Sequence, residues 1–170
     1  LKRRRMPVKE TVNIAVNGAR TGDLLRHLES ANVRRLLGEA NVVIVSIGGN
    51  DLWGGTDWRT APPNDPAAAM NDVLDRVEQV IRVVRQANPG GRLFLVGLYN
   101  PFRDAPFGAQ LNSLVSQWNS RVIERFSDDA NVTIVQTADL FSHRDRLAID
   151  RFHPGAEGYE LIARRIADAL

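Results

Sequence analysis

Apolar residues recur along this chain with two periods, and the two periods alternate. Val12, Ile14 and Val16 alternate with polar or small neighbours, which predicts a short strand over Thr11 to Val16. Asn17-Gly18 then signals a turn. Thr21 can cap a helix from Gly22 onward, with Asp23 in its first turn and Leu24, Leu25 and Leu28 on its apolar face. Val33, Leu36 and Leu37 make a second short apolar turn, ended by Gly38. Val42-Val43-Ile44-Val45-Ser46-Ile47 is nearly continuous and β-branched. That is the pattern of a strand covered on both faces, as in a parallel sheet, with Ser46 read as core. It runs into Gly48-Gly49-Asn50-Asp51, which reads locally as a tight turn.

Residues 52 to 66 read as a loop rich in Trp, Gly and Pro. Asp65-Pro66 is a good helix start. Met70, Val73, Leu74, Val77, Ile81 and Val84 recur at helical spacing, so 67–87 is predicted as a long amphipathic helix. Asn88-Pro89-Gly90-Gly91 stops it. Leu93 to Leu98 is the next buried strand, followed by a polar, Pro-rich loop from Tyr99 to Gly108. Leu111, Leu114, Val115, Trp118, Val122 and Ile123 mark a helix ending near Phe126. Val132 to Val135 is a further strand, and Asp139 to Leu147 a loop with one helical turn. Residues 156–169 form the last helix, with Tyr159, Leu161, Ile162 and Ile166 facing inward. The order β-α-β-α-β-α-β-α predicts one α/β domain, an open parallel sheet with helices on both faces. In such sheets the site lies outside the carboxyl ends of the strands.

Composition narrows the chemistry. With 170 residues, 44% of them apolar, the chain can bury a core of its own. It has no Cys, which excludes a disulfide framework, thiolate metal ligands and a thiol nucleophile for these residues. It has no run of about 18 apolar residues, the signature of a spanning helix. The net charge is +2, from 22 basic and 20 acidic residues, and the one basic cluster is Lys2-Arg3-Arg4-Arg5. Nucleic-acid binding would call for a basic stripe and a recognisable module, and neither is present. A signal peptide would need an apolar stretch after the basic run, where Lys9 and Glu10 stand instead.

The specialised residues sit where the strands are predicted to end. In Asp150-Arg151-Phe152-His153-Pro154 a carboxylate lies three residues before an imidazole. Asp150 can accept the Nδ1 proton and orient His153 as a general base, although such a pair also occurs incidentally. Gly48-Gly49-Asn50-Asp51 is either a turn with local side-chain hydrogen bonds or a site where the Asn50 amide meets a developing oxyanion. In the second reading the Gly18 backbone N–H would serve the same point. No HExxH, P-loop or dinucleotide fingerprint is present. A glycosidase pair, Asp51 with Asp150, is a lesser reading.

Together these segments resemble the SGNH hydrolases, the GDSL-like lipase/esterase family. Three of its four marker blocks have counterparts, in order. The stretch Asn13 to Thr21 resembles the block with the oxyanion glycine, here Gly18. Gly48-Gly49-Asn50-Asp51 resembles the block with the oxyanion asparagine, here Asn50. Asp150 to Pro154 resembles the block with the catalytic Asp and His, here Asp150 and His153. Leu98-Tyr99-Asn100-Pro101-Phe102 is similar to a bacterial branch of secreted or lipoprotein-like members. The resemblance implies a three-layer, flavodoxin-like sheet of five parallel strands. It implies serine-dependent hydrolysis of carboxylic esters or thioesters through an acyl-enzyme, with no metal or organic cofactor. It also implies an extracellular or cell-envelope location, or otherwise a cytoplasmic one.

The family's first block, Gly-Asp-Ser at the end of the first strand, has no counterpart here. Ser30, Ser46 and Ser142 do not follow Gly-Asp on a strand-to-helix turn. The serine and its strand are therefore expected upstream of Leu1, in a preceding or cleaved segment, with Leu1 to Met6 the tail of the following helix. The expected partner is a small-molecule or lipid ester, with Trp53, Trp58, Tyr99 and Phe102 lining the cleft. The alternative is a non-catalytic module of the same fold that binds a lipid, polysaccharide or protein.

Overall fold

The computed structural model describes residues 8–53 and 65–170. The expected helical tail Leu1 to Met6, and Trp58, lie outside the described residues. Three strands, β1 (Val42–Val45), β2 (Arg92–Val96) and β3 (Val132–Val135), pair in parallel in the order β1-β2-β3. Val43 stands opposite Leu93, and Leu93 opposite Val132.

The pleat sends alternate residues to two apolar layers. Val45, Leu93, Leu95 and Val132 face the larger one. Over them pack α1 (Thr21–His27), α2 (Ala31–Glu39), α4 (Pro66–Ala87) and α5 (Gly108–Phe126). Helix α4 supplies seven buried side chains, from Met70 to Val84, at the spacing of one helical face. It starts where Pro fixes φ and Asp65 accepts the Ala68 N–H at 3.0 Å. On the other side of the sheet, Phe94 and Val135 pack with Ile166 of α6 (Ala156–Asp168). The parallel, two-sided sheet is as the pattern of residues predicts.

Several local expectations change. Thr11 to Val16 is not a strand: it has no ladder partner among the described residues, and Val12 and Val16 are 51% and 62% exposed. Three strands are described where the resemblance implies five. Thr21 does not cap α1. Arg20 occupies the cap in an extended conformation, and Thr21 is the first helical residue, with its hydroxyl engaged elsewhere. Gly48 to Asp51 is more than a turn, because Gly49–Trp53 winds into a short helix, α3. Ser46 lies just beyond β1 and is exposed, not core. Tyr159 faces solvent at 58% exposure, while Ile162 and Ile166 of the same helix face the sheet. The loop after β3 holds two 3₁₀ turns, Ala138–Phe141 and Arg144–Arg146, where one helical turn was expected.

Candidate active site

Asp150 and His153 lie between β3 and α6, and their side chains meet. Asp150 Oδ2 stands 2.6 Å from His153 Nδ1. The other oxygen, Oδ1, accepts the backbone N–H groups of Phe152 at 2.9 Å and His153 at 3.0 Å. These bonds hold the Asp150 carboxyl down at about 2, the His153 side chain being the largest cause and the two backbone donors next. A carboxylate engaged at Nδ1 leaves Nε2 as the free position of the ring. His153 is 53% exposed and Asp150 49%, so a reactant can reach the pair.

The loop that carries the pair is tightly tied. The Arg151 N–H donates to the Ala148 carbonyl at 2.9 Å, and the Ala148 N–H donates to the His153 carbonyl at 2.8 Å. Arg151 adopts a left-handed φ of 54° to make this reversal. Gly158 of α6 lets the helix pass close, since a Cβ there would lie 2.4 Å from the Arg146 carbonyl. Tyr99, in the loop after β2, holds the same segment: its hydroxyl donates to the Phe152 carbonyl at 2.6 Å. Its ring stacks on Phe141, with centroids 3.9 Å apart. Burial, followed by the charges of Tyr159 and Asp150, raises the Tyr99 phenol, which keeps it protonated as a donor.

The second cluster forms beyond β1. Gly18 sits in a turn at φ 75°, exposed and with open space where a Cβ would be. Asn50, in α3, donates its Nδ2 to the Ala19 carbonyl at 3.1 Å. An amide nitrogen carries two N–H donors, so one remains for another acceptor. Asp51 points the other way and is 6% exposed at its side chain. Its two oxygens accept the Thr21 N–H at 2.9 Å and the Thr21 hydroxyl at 2.6 Å. Arg76 of α4 donates to the same hydroxyl at 2.9 Å and stands 3.6 Å from Asp51. Asn50 and the Gly18 turn are therefore held together from two sides.

The structure thus joins Asp150 to His153, and Asn50 to the turn bearing Gly18. Asp51 pairs with Thr21 and Arg76, and is not part of a carboxylate pair with Asp150. Among the described residues no serine hydroxyl hydrogen-bonds to His153, and no group of three or more His, Asp or Glu could hold a metal ion. Two contacts near these residues carry no signal in the sequence: the Tyr99 hydroxyl on Phe152, and the Asp51–Thr21–Arg76 network. Each joins residues from separate elements, and no local spacing marks it.

The profile of the GDSL-like Lipase/Acylhydrolase family matches residues 1–161. The chain belongs to that family. The GDSL-like chain is 33% identical to the uncharacterized protein YpmR of Bacillus subtilis, over 93% of this chain and 65% of that protein. It is 22% identical to the spore germination lipase LipC of Bacillus licheniformis, over 91% of this chain and 75% of LipC. It thus spans about two thirds to three quarters of the length of these relatives. Its fold is similar to the lipase Lip_vut3 from a goat rumen metagenome, with a TM-score of 0.74 at 21% identity, covering 88% of this chain and 73% of that one. It is also similar to a catalytic mutant of the acetylxylan esterase Axe2 from Geobacillus stearothermophilus, with a TM-score of 0.64 at 17% identity, covering 89% and 67%.

In this GDSL-like chain the aromatic residues are partly committed. Tyr99 spends its hydroxyl on the His153 loop, as above. Phe102 packs against Phe152 and Phe107, with centroids 5.6 and 6.0 Å apart, and Phe152 meets the His153 ring edge-on at 4.9 Å. Trp53 ends α3; its side chain, like Trp58, lies outside the described residues.

Proposed function

We propose that the whole protein hydrolyses carboxylic esters or thioesters by way of a serine acyl-enzyme. The observation that carries this reading is the Asp150–His153 pair, 2.6 Å apart, on the same end of the sheet as the Asn50–Gly18 cluster. Family membership and the lipases and esterases of similar fold support it.

In this reading the serine is carried by an upstream segment whose strand pairs along the outer edge of β1. His153 Nε2 takes the serine proton as the hydroxyl attacks the ester carbonyl. Asp150 holds the imidazole in the tautomer that can accept at Nε2 and stabilises the imidazolium that forms. The Gly18 N–H, the remaining N–H of Asn50 and the serine's own N–H meet the charge on the carbonyl oxygen. The imidazolium then gives its proton to the leaving alcohol or thiol. Water, deprotonated by His153, releases the acid in the second half. Support for the upstream strand comes from Ile44 on β1 and from Val12 and Val16, apolar side chains that are all more than half exposed.

In the full-length protein, turnover of a short-chain nitrophenyl ester should fall by about 10²- to 10⁴-fold in His153→Ala, the usual range for a positioned acid–base group. A fluorophosphonate should label a serine upstream of Leu1, identified by peptide mass spectrometry. Unchanged turnover in the variant would refute His153 as the base. No labelling, with binding of ester analogues intact, would favour the non-catalytic module.

A further inference from the structure

Arg151 occupies a left-handed backbone position, φ 54°, and is the one non-glycine residue with positive φ among the described residues. An L side chain adopts that region rarely, and glycine adopts it freely. Such outliers cluster at functional sites; this one closes the turn through Ala148 that carries Asp150 and His153.

The side chain is also unusual in its company. Every other arginine whose side chain is described donates to a carboxylate, a carbonyl or another partner within the chain. Arg151 is exposed and has no side-chain partner among the described residues. Its neighbour Asp150 makes no hydrogen bond or ion pair with it: that carboxylate engages the His153 ring and two backbone N–H groups. A free guanidinium thus stands in the segment that carries the imidazole.

The position selects which half of an ester it would meet. In the reaction proposed above, on which this inference rests, His153 hands its proton to the leaving group. Groups beside His153 therefore border the alcohol half, while Asn50 and Gly18 border the carbonyl oxygen. We propose that Arg151 is a specificity residue that pairs with an anionic group, a phosphate or a carboxylate, on the alcohol half of the ester. Guanidinium forms two parallel charge-assisted hydrogen bonds with either group, which lysine cannot reproduce in full.

The test is equilibrium binding of product-like alcohols to the full-length protein, followed by NMR at His153. Glycerol 3-phosphate and glycerate are compared with uncharged glycerol. One or both anions should bind more tightly than glycerol, and the phosphate and carboxylate arms identify which anion the site prefers. Arg151→Gln, which retains the backbone demand and removes the charge, should weaken anion binding by about tenfold or more, and Arg151→Lys should restore part of it. Equal affinity in the parent and Arg151→Gln would overturn the inference. Turnover separates this from the hydrolase reading. If Arg151 binds the anion and no ester is cleaved, the hydrolase reading fails alone. If esters are cleaved with the same anionic-to-neutral preference in the parent and Arg151→Gln, the specificity inference fails alone.

Discussion

Asp150 is held by three hydrogen bonds, and their ranking gives a measurable consequence. The His153 side chain is the largest cause of its low pKa, and the backbone N–H groups of Phe152 and His153 follow. Removing the imidazole in His153→Ala should therefore raise the Asp150 midpoint from about 2 part of the way to its ordinary 3.8, because the backbone donors remain. A carbon-detected NMR titration of the Asp150 carboxyl checks this; a midpoint that stays near 2 would show that the backbone alone sets it. The sign for stability follows. The folded value lies below the unfolded one, so ionised Asp150 favours the fold above the ordinary carboxylate value. That contribution disappears as pH falls through about 2. Because the carboxyl is solvent-exposed, the contribution is small. The pair itself was legible in the sequence because both members lie within one loop. The residue between them was not: nothing in the letters Asp-Arg-Phe-His marks Arg151 as left-handed, since the reversal depends on the bonds to Ala148.

At the scale of elements, legibility follows how local the determinants are. Helix α4 could be read because its apolar period, its Asp65 cap and its terminating Asn-Pro-Gly-Gly all lie within the segment. Thr11 to Val16 was misread because alternation shows that a segment can be a strand, whereas being one requires a neighbour to pair with. The same distinction applies to Thr21. Its residue type suits a helix cap, but Asp51 and Arg76 lie close enough in the fold to claim the hydroxyl. That claim links α1, α3 and α4, and through α3 it fixes Asn50 against the turn of Gly18. Thr21→Val keeps the buried volume and removes the donor, leaving a buried carboxylate one hydrogen bond short. The expected cost is about 1–3 kcal/mol, seen as a lower denaturation midpoint with an unchanged m-value. A midpoint equal to the parent's would mean that the network contributes nothing to holding the three helices.

At the scale of the molecule, the sheet is covered unevenly, and β1 is where the cover ends. The Arg92 N–H donates to the Asn41 carbonyl at 3.0 Å, so Asn41, Val43 and Val45 turn their backbone polar groups toward β2. By the alternation of a parallel ladder, Val42 and Ile44 turn theirs outward, where no described strand accepts them. Ile44 is also 54% exposed, on the sheet face where Phe94 and Val135 pack with Ile166 of α6 and Val42 and Val96 are partly buried against them. An apolar strand with an open edge is a template for another strand. The proposed upstream segment would satisfy both needs at once: its strand would pair with the outward groups of Val42 and Ile44, and the connection after it would cover Ile44. Amide hydrogen exchange distinguishes this arrangement. In residues 1–170 alone the Val42 and Ile44 amides should exchange fast while Val43 and Val45 are protected. In the full-length protein all four should be protected together, with Val42 and Ile44 slowing by orders of magnitude as the edge becomes interior. Fast exchange at Val42 and Ile44 in both forms would place the serine strand elsewhere, and with it the geometry proposed for His153.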